Sequence, residues 1–176
     1  MSHRKGNVGE REVAALLQGW WRQLEPEAVF IRSPLSGGWV QGRDLFDARG
    51  DLLVKNAPRF PWVVECKRRE AWDLQNFEDG RPTAVWKWWL QAARDADKAG
   101  RRPMLWFRQN LRPWVVLVPA ELGKITWKSA PDFSWPSGLP GLETKRANAA
   151  WQPPHPMGYW ADKLLATHPR RWALVV

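Results

Sequence analysis

Glu65 and Lys67 stand two positions apart at the end of an apolar run, Trp62-Val63-Val64. Side chains alternate across a strand, so a strand here turns the carboxylate and the ammonium to one face and Cys66 to the other. Burying such a pair for stability alone gains little, because desolvation can cancel the Coulomb attraction. Chemistry offers a second reason for the arrangement. A carboxylate is a hard oxygen ligand for a divalent cation such as Mg²⁺, which keeps several of its waters. A lysine one strand step away can orient or deprotonate an attacking water and steady the charge of a phosphate. Together they suit metal-assisted hydrolysis of a phosphodiester. An exposed ion pair at a strand end would read the same way, so the remaining acids and bases have to decide.

Glu10, Asp44 and Asp47 are the further acids that local pattern turns inward or places at a strand start. Glu10 lies in an amphipathic segment, roughly 60° from the centre of the stripe formed by Val13, Leu16, Leu17, Trp20 and Leu24, with Arg11 almost opposite that stripe. Asp44 follows the glycine-rich stretch "PLSGGWVQGR" and opens "DLFDA", in which Asp47 competes for the same role. Asp51, in "RGDLLV", reads as a turn aspartate. Two or three such carboxylates converging at a sheet edge make a site for a divalent cation.

The balance of charge points to a polyanionic partner. The 176 residues carry a net charge of +9, with a pI near 10.3. The cations come in short clusters: Arg4-Lys5, Lys67-Arg68-Arg69, Arg101-Arg102, Lys145-Arg146 and Arg170-Arg171. Nucleic acid is the partner that such clusters fit best, through phosphate contacts and counterion release. A single cysteine excludes an intramolecular disulfide and a cysteine-based zinc cluster, and suits a reducing, cytoplasmic compartment. No apolar run approaches a membrane span, and the first residues lack the apolar segment of a secretory signal. Fifteen tryptophans exceed ordinary usage, and some must be core while others could stack on unpaired bases.

These side chains need elements to position them. Asn7 is placed to cap a first helix through "EREVAALLQGWWRQL", which Pro26 ends. "AVFIRS", "DLFDA", "DLLV" and "PWVVECKR" read as strands. A second helix spans about 83 to 99, with Trp86, Trp89, Leu90, Ala93 and Ala96 as its core face and Gly100 as its stop. On that wheel Gln91 falls away from the core stripe, beside Lys87 and Trp88. "PMLWFR" and "PWVVLVP" follow as strands joined by "QNLR". The expected fold class is α/β, a central mixed sheet flanked by helices. We expect one core domain over 1–128 and an extension over 129–176. Residues 129 to 158 look irregular, rich in Ser, Pro, Gly and Trp, and "YWADKLLATH" reads as a short terminal helix.

An aspartate on one strand and E-x-K on the next resembles the core of the PD-(D/E)xK nuclease superfamily. The N-terminal "RKGNVGERE" sharpens the likeness. Archaeal-type Holliday junction resolvases open with a basic-Lys-Gly segment leading to a Glu-Arg pair on the first helix, matched here by Arg4-Lys5-Gly6 and Glu10-Arg11. They continue with a Ser-Gly loop, matched by "PLSGG", then a strand aspartate, then E-x-K. The resemblance covers roughly residues 4 to 119 and is closest to phage-borne members. It implies a restriction-endonuclease-like core and a homodimer that resolves four-way DNA junctions. It implies metal ligation by Glu10, Asp44 and Glu65, with Mg²⁺ as the cofactor and Mn²⁺ as a substitute. Lys67 would be the catalytic lysine, Ser36 the loop serine near the scissile phosphate, and Arg4, Lys5, Arg11, Arg68 and Arg69 the DNA-binding cations. The family glutamine on the helix after E-x-K would be Gln91. The chain departs from the pattern in two ways. Arg43, not proline, precedes Asp44, and the gap from Asp44 to Glu65 is long, with "KNAPRFP" as an apparent insertion. Other nucleases of the superfamily, or a non-catalytic DNA-binding protein, are the competing readings.

Overall fold

The structure is a computed structural model describing residues 2–33, 49–70, 84–120, 133–134 and 156–170. Helix α1 runs Ser2–Trp21, followed by strands β1 (Val29–Arg32), β2 (Leu52–Lys55) and β3 (Trp62–Arg68). Helix α2 (Ala84–Lys98) leads to β4 (Arg102–Arg108) and β5 (Val115–Pro119). The short β6 (Phe133–Ser134), then β7 (Pro156–Trp160) and helix α3 (Ala161–Leu165), complete the order.

Five strands form one mixed sheet in the order β3-β4-β5-β7-β6. β3 and β4 are parallel, which obliges the chain to cross over between them, and α2 is that crossover. The other three pairings are antiparallel. β1 and β2 make a separate antiparallel pair, with Val29 opposite Lys55 and Arg32 opposite Leu52. The expected fold class holds: a mixed sheet with helices on both faces.

The alternation of β3 and β4 sorts their side chains between two cores. Trp62, Val64, Cys66, Met104 and Trp106 pack with Val13, Leu17, Trp20 and Trp21 of α1. Leu105 and Phe107 pack with Val85, Trp89 and Ala92 of α2 on the opposite face. Among the described residues six tryptophans, at 20, 21, 62, 89, 106 and 114, are buried. Trp21, Phe60 and Trp62 meet edge to face, with centroids 5.0 to 5.8 Å apart, the arrangement that aromatic quadrupoles favour. Much of the tryptophan excess is therefore core.

Three sequence expectations shift. α1 begins at Ser2, so Asn7 lies inside the helix and is not its cap. The buried stripe of α2 is Val85, Trp89, Ala92, Ala93 and Ala96, while Trp86 and Leu90 are only partly covered. The stretch read as irregular from 129 to 158 includes β6 and the start of β7, which pairs with β5 from Val115–Trp160 to Pro119–Pro156. The proposed strand "DLFDA" lies outside the described residues.

Candidate active site

Among the described residues β3 is an edge strand of the five-stranded sheet, with no strand paired on its other side. Asp51, just before β2, fills that place. Its N–H donates to Val64 O at 2.8 Å, and its Oδ2 accepts from the Cys66 N–H at 2.8 Å. The approach depends on Gly50, whose φ is +86°. A Cβ there would sit 2.6 Å from Val64 O and 2.8 Å from Val63 Cγ1, so glycine is required both by conformation and by space. Asp51 was read from sequence as a turn aspartate. It does lie in the bend before β2, and it is also set on the edge of the strand that carries Glu65.

Glu65 and Lys67 share the α2 face of β3, as alternation demands. Lys67 Nζ donates to Glu65 Oε1. Gln91, although on the exposed flank of α2, reaches the same oxygen, with Nε2 donating at 2.9 Å. The helical wheel turned Gln91 away from the core correctly, but the site lies at the sheet edge and not in the core. Glu65 is buried, at 2% exposure, and Lys67 is partly covered.

Burial sets the electrostatics. Desolvation, then the neighbouring Asp51, pushes the Glu65 carboxyl up to about 7, with Lys67 opposing. Desolvation likewise raises Asp51 to about 6, against the Cys66 N–H and Lys67. Lys67 is also shifted upward: desolvation pulls it down, but attraction and hydrogen bonding from Glu65 outweigh that, so it is a protonated ammonium. It can orient water and steady a phosphate, and in this state it has no lone pair with which to take a proton. Cys66, on the far face, is buried and its thiol is pushed well above its ordinary range.

Glu10 is buried on α1, at the core edge expected of it. Its Oε2 accepts from Arg32 Nε of β1 at 2.5 Å. Arg32, not singled out from sequence, also lowers the pKa of Asp51 while Glu10 raises it, so the pair belongs to the same charge cluster. Ser36, Asp44 and Asp47 lie outside the described residues, and Arg4 and Lys5 are described only as part of helix α1. Arg11 and Arg69 are exposed. Arg68 is half-buried, with its Nε donating to Asn110 Oδ1 at 2.8 Å.

Among the described residues no three acidic, imidazole or thiol groups stand together as a metal cage. The pair Asp51 and Glu65 nonetheless suits a divalent cation. Both are hard oxygen donors, Asp51 raises the pKa of Glu65, and Asp51 Oδ1 and Glu65 Oε2 accept no hydrogen bond among the described residues. Mg²⁺ commonly binds through one or two carboxylates and keeps its waters.

A protein-family model described as "Phage putative PDDEXK endonuclease" matches residues 1–134. The chain belongs to that family. It is accordingly a nuclease of the PD-(D/E)xK superfamily, whose members usually use divalent metals such as Mg²⁺. No curated protein and no solved structure matches the chain. Asp51 and Glu65-Cys66-Lys67 of this nuclease have the order of the superfamily's D and E-x-K. Asp51 precedes Glu65 by fourteen positions, without the insertion that Asp44 would require. The glycine just before the aspartate reads in sequence as a turn, so only the spacing to E-x-K could have pointed to it. Among the described residues no helix is long and apolar enough to cross a membrane.

Proposed function

We propose that this nuclease is a structure-selective endodeoxyribonuclease that resolves four-way DNA junctions as a homodimer in the host cytoplasm. The observation that supports the hydrolytic part is the Glu65–Lys67 pair on β3, with Asp51 on the edge of that strand close enough to act electrostatically on both. Asp51 and Glu65 would hold Mg²⁺ or Mn²⁺, which when bound supplies Lewis-acid stabilisation of phosphate charge and a more acidic water. Lys67, held as an ammonium by Glu65, orients the attacking water and meets the charge that develops on the phosphoryl oxygens. Gln91 fixes the Glu65 carboxylate from α2. Glu10 fixes Arg32, and the exposed Arg11 and Arg69 would meet backbone phosphates.

Junction selectivity rests on the N-terminal Arg4-Lys5-Gly6 and Glu10-Arg11 pattern and on the "PLSGG" segment with Ser36. Homodimerisation follows from the need for two paired nicks, which a two-fold axis supplies. Another DNA endonuclease of the superfamily is the alternative, and the family description names an endonuclease without naming a junction. Cleavage of labelled four-way junctions, forks and linear duplexes, with Mg²⁺ and with EDTA, tests both levels. Paired, symmetric nicks confined to the junction support resolution. Equal cutting of linear duplex moves the activity to a general endonuclease, and no metal-dependent cutting at all ends the nuclease reading.

A further inference from the structure

The β4–β5 hairpin presents an apolar side chain where the fold gives it nothing to touch. Leu111 is fully exposed, at 100%. Its φ is +60°, a left-handed conformation that is a real outlier for a bulky residue. Single exposed leucines are ordinary. A leucine that is also kept at positive φ, at a position glycine would fill without strain, is not. Backbone outliers of this kind gather at functional sites.

Its surroundings identify the use. β4 runs parallel to β3 with Lys67 opposite Phe107 and Arg68 opposite Arg108, so the hairpin leaves the sheet at the end where Glu65 and Lys67 lie. At strand dimensions, Leu111 is within roughly 15 Å of Lys67, about four base steps along a duplex at 3.4 Å each. The root is clamped. Arg108 lies over the Trp114 ring, 4.5 Å from its centroid, and donates to Glu12, which also accepts from Trp114 Nε1 at 3.1 Å. Arg68 Nε holds Asn110 at 2.8 Å, and Arg69 N donates to Arg108 O at 3.2 Å. Arg112, next to Leu111, is exposed, as is Arg69 at the root of the hairpin. A rigid hairpin with a cationic rim and one protruding apolar side chain has the form of a wedge between stacked bases. Phosphates would meet the arginines while leucine replaces a base-stacking contact.

We propose that Leu111 inserts between base steps of the DNA substrate and unstacks them close to the scissile phosphate. This rests on the reading of the chain as a DNA nuclease and adds how the substrate is deformed. The penalty of opening a base step would make DNA that is already open, at a branch or a lesion, the better substrate.

The test uses four-way junctions and linear duplexes carrying 2-aminopurine at successive positions within four steps of the mapped nick. Binding is measured without metal, and cleavage is started with Mg²⁺. Wild type should raise the fluorescence several-fold at one step. Leu111→Gly, which relieves the backbone, should keep its melting temperature and lose that rise. It should cut fully paired DNA on the order of tenfold more slowly and recover on DNA with an abasic site at that step. Leu111→Met should behave as wild type. No rise at any position, or the same rise with Leu111→Gly, overturns the wedge even if cleavage is normal. A dimer that dissociates in Leu111→Gly while unstacking persists also overturns it, assigning the leucine to a second copy. Unstacking by wild type without any Mg²⁺-dependent cleavage would uphold the wedge and remove the nuclease reading.

Discussion

Gln91 and Lys67 donate to the same oxygen of Glu65, one from helix α2 and the other from two residues along β3. The shared acceptor fixes the carboxylate from two directions. Gln91→Ala should therefore leave the fold intact and slow single-turnover cleavage by about tenfold, the order expected from one hydrogen bond to a charged group. Part of the loss should return at high Mg²⁺. Gln91→Glu should be worse, because a like charge against Glu65 raises both carboxyls further. Metal titrations of the cleavage rate separate the three proteins.

Asp51→Asn should reduce cleavage by about 10² to 10⁴, on the scale of losing one positioned catalytic group. The same change relieves the repulsion on Glu65, so the metal-free protein should melt at the same or a higher temperature at pH 8. Asp44→Asn and Asp47→Asn measured beside it should keep most activity. An inactive Asp44→Asn with an active Asp51→Asn would move the metal to the stretch before Arg49.

Asp51 and Glu65 make the metal-free protein sensitive to pH. Their carboxyls rise from ordinary values of 3.8 and 4.5 to about 6 and 7, so between those limits the folded state holds protons the unfolded chain has lost. The stabilisation is complete below about pH 4 and disappears as pH rises through 6 to 7. Metal-free melting temperature should fall by several degrees from pH 5 to pH 8, since a change on the order of 2 kcal/mol moves it by about 4 to 8 °C. Mg²⁺ should bind more tightly over the same rise, because it needs the ionised forms, and should reverse the loss. Calorimetry across pH, with Mg²⁺ and with EDTA, checks both slopes.

Gly50→Ala should do damage out of proportion to one methyl group. The added carbon would meet Val64 O and Val63 Cγ1 well inside contact distance, at a φ that alanine avoids. Either β3 or the turn has to move, and Asp51 moves with it. The expected loss is on the order of 1 to 3 kcal/mol, together with a fall in cleavage larger than the lost stability explains at 20 °C. Denaturant melts and cleavage rates on the same preparation distinguish that from simple unfolding.

The strand carrying E-x-K and the helix after it were legible because their periods, two and 3.6, are written in consecutive side chains. The same alternation placed Glu65 and Lys67 together and Cys66 apart, as the structure has them. Glu10 was legible through its angle to the stripe of α1. Asp51 was not, because the role proposed for it depends on its place beside β3 at the sheet edge, and edge position is a property of the whole sheet order. A glycine followed by an aspartate reads locally as a turn, and only the partner strand reveals a close backbone approach. Arg32 was missed for a similar reason, since nothing in a strand-end arginine names the helix that will face it. β7 escaped because a short strand containing proline and glycine has little pattern of its own until β5 supplies its partner.

An open strand edge is an invitation to self-association, since its unpaired N–H and C=O groups can take up another chain. Asp51 occupies that edge with one N–H and one carboxylate, where a neighbouring molecule's strand would otherwise add. The residue proposed to serve hydrolysis is thus also expected to hinder strand addition at that edge. Substitutions made there to silence the enzyme carry a solubility risk that a purely catalytic residue would not. Low temperature, modest protein concentration and light scattering alongside every assay are the practical corollary for anyone preparing inactive protein for DNA complexes.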